Sequence, residues 1–260
     1  MNKIYLFLGI AVLTYGCGPK PSNEASEVVV DLAETSHHNE GIKKVFDAHG
    51  GFDRWYSMKS LTYFKGGEKT VVNLRNRKIR VASDKKTIGF DGENVWVTPD
   101  TVEVGNARFY HNLFFYFYSF PFVVGDPGVF YEDVDPKEIN GKEYNGVKIS
   151  YGEGVGDSPK DFYIVWYDPA TSKMEWLMYT VTYRSGEANE NYSLIKYDQW
   201  GEFNGLVLPT AIQWFQFKDG EVGDMRNEIT FEEISISEEA PSDDLFAMPK
   251  NAQIAPAPGE

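Results

Sequence analysis

The stretch NLFFYFYSFPFVVGDPG, Asn112 to Gly128, decides how the chain folds, because seven of the nine residues from Phe114 to Phe122 are aromatic. A run this dense is core, an interface, a membrane contact or the wall of a ligand pocket. As a strand it fails, since neither parity of 111–119 is consistently polar. As a helix it succeeds. Arg108, Asn112, Tyr116 and Ser119 fall at i, i+4, i+8 and i+11 and make one narrow polar stripe, while Phe109, Leu113, Phe114, Phe115, Phe117, Tyr118 and Phe120 cover the remainder. Asn106 is the expected N-cap, and Pro121 disfavours helical geometry at Phe120, so the helix should end there. Gly125-Asp126-Pro127-Gly128 then turns the chain back to strand. A helix apolar around most of its girth needs burial on more than one side, and the concave face of a curved sheet offers that.

The flanking sequence supplies such a sheet. Before the helix come SLTYF, TVVNL, KIRVA, KTIGF and NVWVT; after it come EYNGVKISY, DFYIVWY, EWLMYTVTY, YSLIKYDQW, LPTAIQWFQF and NEITFEEISI. Asp91-Gly92, Asn140-Gly141, Asn145-Gly146, Asn204-Gly205 and Asp219-Gly220 supply the residues tolerant of positive φ that tight hairpins need, which predicts an antiparallel meander. Leu177, Tyr179, Val181 and Tyr183 share one face of their strand, with Met178, Thr180 and Thr182 on the other. In the last strand Ile229 and Phe231 are odd but Ile234 and Ile236 even, so the buried face changes parity and a β-bulge is expected near Glu232-Glu233. One further helix is legible upstream, where Ile42, Val45, Phe46 and His49 repeat at helical spacing before Gly50-Gly51. His49 should then sit at that helix's C-terminus, a position the dipole favours for histidine. Phe52, Trp55 and Tyr56 make a second short turn.

A chain of 260 residues, 42% hydrophobic and 15% aromatic, can bury a sizeable core, which excludes wholesale disorder. A net charge of −14 excludes an electrostatic nucleic-acid binder. At the N-terminus, Lys3 precedes an apolar run from Ile4 to Leu13 that is too short to span a bilayer, and it reads as a targeting segment. The chain's single cysteine, Cys17, stands at its end. Leu13-Thr14-Tyr15-Gly16-Cys17 resembles a bacterial lipobox, with Gly16 as the expected small residue and Leu13 one place earlier than the usual pattern. That resemblance implies a signal peptide over 1–16, lipidation of Cys17 and a flexible tether over 17–38, in which GPKPSNEASE has no apolar surface to bury. A folded domain over 39–249 and a loose tail over 250–260 complete the expected organisation.

Six segments together carry a family resemblance: AHGGFDRW (Ala48 to Trp55), FDGENVW (Phe90 to Trp96), the aromatic helix, VWYDPATSKMEWL (Val165 to Leu177), EFNGLVLPTAIQW (Glu202 to Trp214) and FEEISI with DDLFAMP (Phe231 to Pro249). Over Glu40 to Pro249 the chain resembles the outer-membrane lipoprotein-carrier-like (LolA/LolB-like) superfamily, and within it a group of bacterial lipoproteins. The resemblance implies a mainly β (α+β) fold: a strongly curved antiparallel sheet forming an open half-barrel, with helices packed in its concave mouth. It also implies a hydrophobic cavity for a lipid or other apolar molecule, walled by Trp96, Phe114, Phe117, Tyr118, Phe120 and Phe122, in a protein of the outer membrane held by its N-terminal lipid anchor. The strong acidity and the anchor depart from the carriers that move lipoproteins.

No enzymatic motif competes with this reading. Ser83-Asp84-Lys85-Lys86 matches S-x-x-K but lies in a polar turn without the accompanying elements. Gly152, Gly154 and Gly156 lack dinucleotide-fingerprint spacing. His37, His38, His49 and His111 lack metal-ligand spacing, and Glu238 to Asp244 is a solvated acidic loop. No cofactor is expected. Two functional readings stand: a hydrophobic-ligand binder or carrier, and a structural or protein-interaction module in which the aromatic helix is filled core.

Overall fold

A computed structural model describes residues 38–152, 160–182 and 191–256. Cys17, the targeting segment and most of the tether lie outside the described residues. Helix α1 (Glu40–Ala48) begins where the Asn39 side chain accepts a hydrogen bond from the Ile42 amide at 3.0 Å, and it buries Ile42, Val45 and Phe46 as the spacing required. The Gly51 amide closes its end on the Phe46 carbonyl at 2.8 Å, and the short helix α2 (Phe52–Ser57) follows.

Strands β1 (Ser60–Lys65), β2 (Glu68–Asn73), β3 (Ile79–Ala82), β4 (Thr87–Phe90) and β5 (Val95–Thr98) then run as an antiparallel meander. The aromatic stretch forms α3 (Ala107–Tyr118) and, after Ser119, one more turn, α4 (Phe120–Val123), with Pro121 in its first turn. Proline is tolerated there because first-turn amides have no helical acceptor. Asn106 occupies the N-cap position without a side-chain cap bond.

A second meander follows: β6 (Val129–Ile139), β7 (Lys142–Tyr151), β8 (Tyr163–Tyr167), β9 (Met174–Tyr179), β10 (Ser193–Phe203), β11 (Leu206–Lys218) and β12 (Glu221–Thr230). Strand β13 (Glu232–Ser237) returns to pair with β1 and β14 (Gln253–Ile254) pairs with β5, so the two seven-stranded sheets run β13-β1-β2-β3-β4-β5-β14 and β12-β11-β10-β9-β8-β7-β6. Only Phe231 separates β12 from β13, and its amide still bonds the Thr210 carbonyl at 2.8 Å. The chain therefore passes from one sheet to the other along a single bent strand. The bend is the bulge that the parity change required: Thr62 pairs with Ser235 but Phe64 with Glu232, and Glu233 takes a φ of 48°. With β6 and β14 ending the two sheets unpaired to each other, the architecture is an open half-barrel.

Three Asn-Gly or Asp-Gly pairs, at 140–141, 204–205 and 219–220, have both residues at positive φ, as two-residue hairpins demand. Asn145-Gly146 does not turn the chain; it lies inside β7. Gly146 is there for contact, since a Cβ on it would stand 2.4 Å from the Trp166 ring. β14 (Gln253–Ile254) lies within the segment expected as a loose tail and adds to the edge of β5, with Ala255 buried.

The main core joins α1, α2, α3 and α4 to one face of both sheets. The opposite face of the second sheet carries its own cluster, Ile139, Tyr144, Trp166, Trp176, Met178 and Leu194, so β9 buries Leu177 on one side and Met178 on the other.

Candidate functional site

Helix α3 lies between the two sheets, touching β3, β4 and β5 on one side and β11 on the other. Toward the second sheet it turns Phe109, Leu113, Phe114 and Phe117, and a cavity of 490 Å³ remains between these side chains and the sheet. Tyr163 from β8, Tyr179 from β9, Ser193 from β10 and Trp214 from β11 face them, with Asp161, Thr180, Val181, Arg226 and Asn227 completing the lining. The walls are set by aromatic edge-to-face contacts: Phe117 meets Trp214 at 5.7 Å and 86°, and Phe114 meets the same ring at 6.5 Å and 81°. Trp214 is itself fixed, its Nε1–H donating to the Tyr179 hydroxyl at 3.1 Å. Tyr197 donates to the Phe117 carbonyl at 2.9 Å and ties the end of α3 to β10.

Polar groups sit at the margins of this space. The Asp161 carboxylate accepts from the Thr182 amide at 2.6 Å; burial pushes its pKa up, against the lowering effect of that bond. Burial likewise raises the pKa of the Tyr179 hydroxyl. Val181, half exposed, and exposed Arg226 form part of the lining.

Of the side chains expected to wall a cavity, Phe114 and Phe117 do so. The other four are packed instead. Tyr118 is fully buried, stacked on Tyr63 at 4.8 Å and edge-on to Phe231 at 4.7 Å. Phe122 lies flat on Trp55 at 5.0 Å and 5°, and Phe120 packs behind the cavity wall against Tyr163 at 5.1 Å. Trp96 fills the space above Gly89 and donates its Nε1–H to the Phe246 carbonyl at 3.1 Å, joining β5 to the closing segment. The division has a simple cause: α3 meets the cavity along its first three turns, and by Tyr118 the helix has run into the crowded seam where β1 and Phe231 meet. Tyr163, Tyr179 and Trp214 were not singled out as wall residues from sequence, because their strands bury both faces and alternation cannot say which tyrosine meets empty space.

The polar stripe is split too. Asn112 and Tyr116 line a smaller pocket on the far side of α3, while Ser119 is completely buried. His49 caps α1 but not as a dipole-favoured cation. It is fully buried, its Nδ1–H donates to the Val207 carbonyl at 3.1 Å, and its Nε2 accepts from the Met174 amide at 3.2 Å. Burial lowers its pKa to about 4, so the imidazole is neutral and fixed in one tautomer. Ser83 closes the β3–β4 turn, its hydroxyl accepting from the Lys86 amide at 3.3 Å. Among the described residues no helix is long and apolar enough to cross a membrane.

Residues 56–208 match the model of a family of unknown function, DUF6503, and the chain belongs to that family. No curated protein matches it. Among solved structures it is similar to a LolA superfamily protein from Nitrosomonas europaea, at 12% identity over 73% of this chain and 87% of that one, with a TM-score of 0.45. It is also similar to a DUF1329 family protein from Desulfovibrio piger, at 10% identity over 80% of this chain and 98% of that one, with a TM-score of 0.46.

Proposed function

We propose that this member of the DUF6503 family is an envelope lipoprotein, anchored through Cys17, that binds a lipid or other hydrophobic molecule between α3 and the second sheet. It acts as a binding or carrier module and not as an enzyme. The observation that carries the reading is the 490 Å³ cavity walled by Phe114, Phe117, Tyr179 and Trp214. Its size falls within the ~300–1,000 Å³ typical of ligand pockets. Taking ~30 Å³ for each water-sized group, a methylene included, the space holds on the order of sixteen such groups. One acyl chain fits that volume. A single-chain amphiphile is accordingly the favoured ligand, with its polar end at the margin occupied by Asp161, Arg226 and Asn227.

The test pairs uptake with stability. Phe114 is only partly buried, so Phe114→Trp should block uptake of a fluorescent fatty-acid analogue and leave the melting temperature within a few degrees. Wild-type protein that takes up no such probe, and from which organic extraction recovers no lipid, would sink the proposal. A second reading, a filled structural module, draws on the packing of Trp96, Tyr118, Phe120 and Phe122 at 2% exposure or less. On that reading Phe114→Trp overpacks the site and costs ~1–3 kcal/mol of stability.

A further inference from the structure

The face of α3 turned away from the apolar cavity borders a pocket of 210 Å³ formed with Ile79 of β3, Phe90 of β4 and Val95 of β5. Its polar lining is Arg77, Arg108, His111 and Asn112, beside Phe115 and Tyr116, and no carboxylate lines it. In a chain of net charge −14 this is an unusual concentration of cationic side chains.

Two of them stand at positions that the local backbone does not favour. Arg108 stands in the first turn of α3, where a positive charge opposes the helix dipole, and that turn contains no acidic residue. Arg77 takes a φ of 60° in the β2–β3 connection, a left-handed conformation that costs glycine or asparagine less. Its Nη2 makes both contacts to Asp126, at 2.5 and 2.7 Å. Its Nη1 is buried and, among the described residues, has no hydrogen-bond acceptor. A guanidinium donor left unsatisfied in a buried position is costly unless something else accepts from it.

We propose that this pocket binds a phosphate-class oxyanion, supplied either by a lipid headgroup or by free phosphate. Arg77, whose Nη1 is unsatisfied, and Arg108 line it with guanidinium groups suited to such oxygens, and Asn112 adds a neutral donor. The site is separate from the apolar cavity and stands independently of it.

Calorimetric titration of the purified protein with inorganic phosphate, short-chain phosphatidic acid and short-chain phosphatidylcholine tests this. Phosphate and phosphatidic acid should bind competitively. Arg108→Gln and Arg77→Gln should each weaken both by about tenfold, ~1.4 kcal/mol. Phosphatidic acid binding much more tightly than phosphate identifies a headgroup site; equal affinities identify a free-phosphate site. Arg77→Gln also breaks the Asp126 pair, so if that variant unfolds Arg108→Gln decides. Absence of binding by both phosphates, or wild-type affinity in Arg108→Gln, overturns the proposal.

Discussion

His49 shows how one buried side chain can hold three strands to a helix. Sitting at the end of α1, it satisfies the Val207 carbonyl of β11 and the Met174 amide of β9, and its ring packs on Trp200 of β10 at 4.3 Å. Removing it leaves two buried backbone groups unpaired, at ~1–3 kcal/mol each, so His49→Leu should lower the urea midpoint sharply. The same burial gives a pH dependence with a definite sign. The folded pKa is about 4 against an ordinary 6.5, so above pH 6.5 both folded and unfolded chains hold the ring neutral and no penalty exists. As pH falls from 6.5 toward 4, the unfolded chain takes up a proton that the folded one refuses. Stability should then drop by up to ~3 kcal/mol and level off below pH 4. Urea unfolding of wild type and His49→Gln across that window checks it: the variant starts less stable but loses less on acidification. Parallel losses in the two proteins would place the titrating group elsewhere. From sequence His49 was legible as a helix end, but neither its partners nor its neutrality was, because both depend on strands more than a hundred residues away.

At the scale of elements, the bulge between β12 and β13 was the most informative feature of the sequence. The parity change from Phe231 to Ile234 has no other solution in a strand with one buried face, and the register against β1 slips there. Glu233 supplies the left-handed residue at a φ of 48°. Glu233→Gly should therefore leave stability unchanged or slightly raised, whereas Glu233→Val, β-branched at positive φ, should lower it by ~1–2 kcal/mol in thermal or urea unfolding. Equal stability of the two variants would mean that the left-handed geometry is not what matters at this bend. Gly89 makes a comparable demand inside a regular pair, since a Cβ on it would lie 2.1 Å from Trp96, its direct partner on β5. Gly89→Ala should cost ~1–3 kcal/mol by overpacking and loosen the Trp96 bond to Phe246, visible as altered tryptophan fluorescence. Where sequence reading fell short, the cause is again physical. Most of β6 is exposed or half-buried along Phe130 to Glu138, with Glu132, Asp133, Asp135 and Pro136 marking it as an edge strand, so it carries no alternation to detect. The first half of β12 is similarly exposed, and two-residue β14 is too short for any periodic signal.

The whole molecule divides its two sheets between different partners of one helix: α3 presents phenylalanines to the second sheet across a cavity and a basic, polar face to the first. The aromatic count announced a buried helix, and which turns of it meet a void follows only from how the bent strand at Phe231 brings the sheets together. The proposed anchor belongs to this scale as well. About twenty residues lie between Cys17 and the first described residue, and on the proposed reading a coil of that length would reach ~25 Å root-mean-square. With the proposed anchor, that reach would place the half-barrel just off a bilayer, close enough to exchange the proposed single-chain amphiphile. A chain of net charge −14 does not adsorb by charge to anionic lipid, so on the proposed reading membrane residence would rest on the acyl chains. One chain gives only marginal binding, and each further buried methylene adds ~0.8 kcal/mol, which makes two or three chains effectively permanent. Cys17→Ser should accordingly move the protein from the membrane pellet to the soluble fraction, or leave it unprocessed, while the domain's melting temperature and its uptake of a fatty-acid analogue in solution are retained. A correctly cleaved Cys17→Ser protein that still partitions into detergent would show that membrane attachment comes from somewhere other than lipidation of this cysteine.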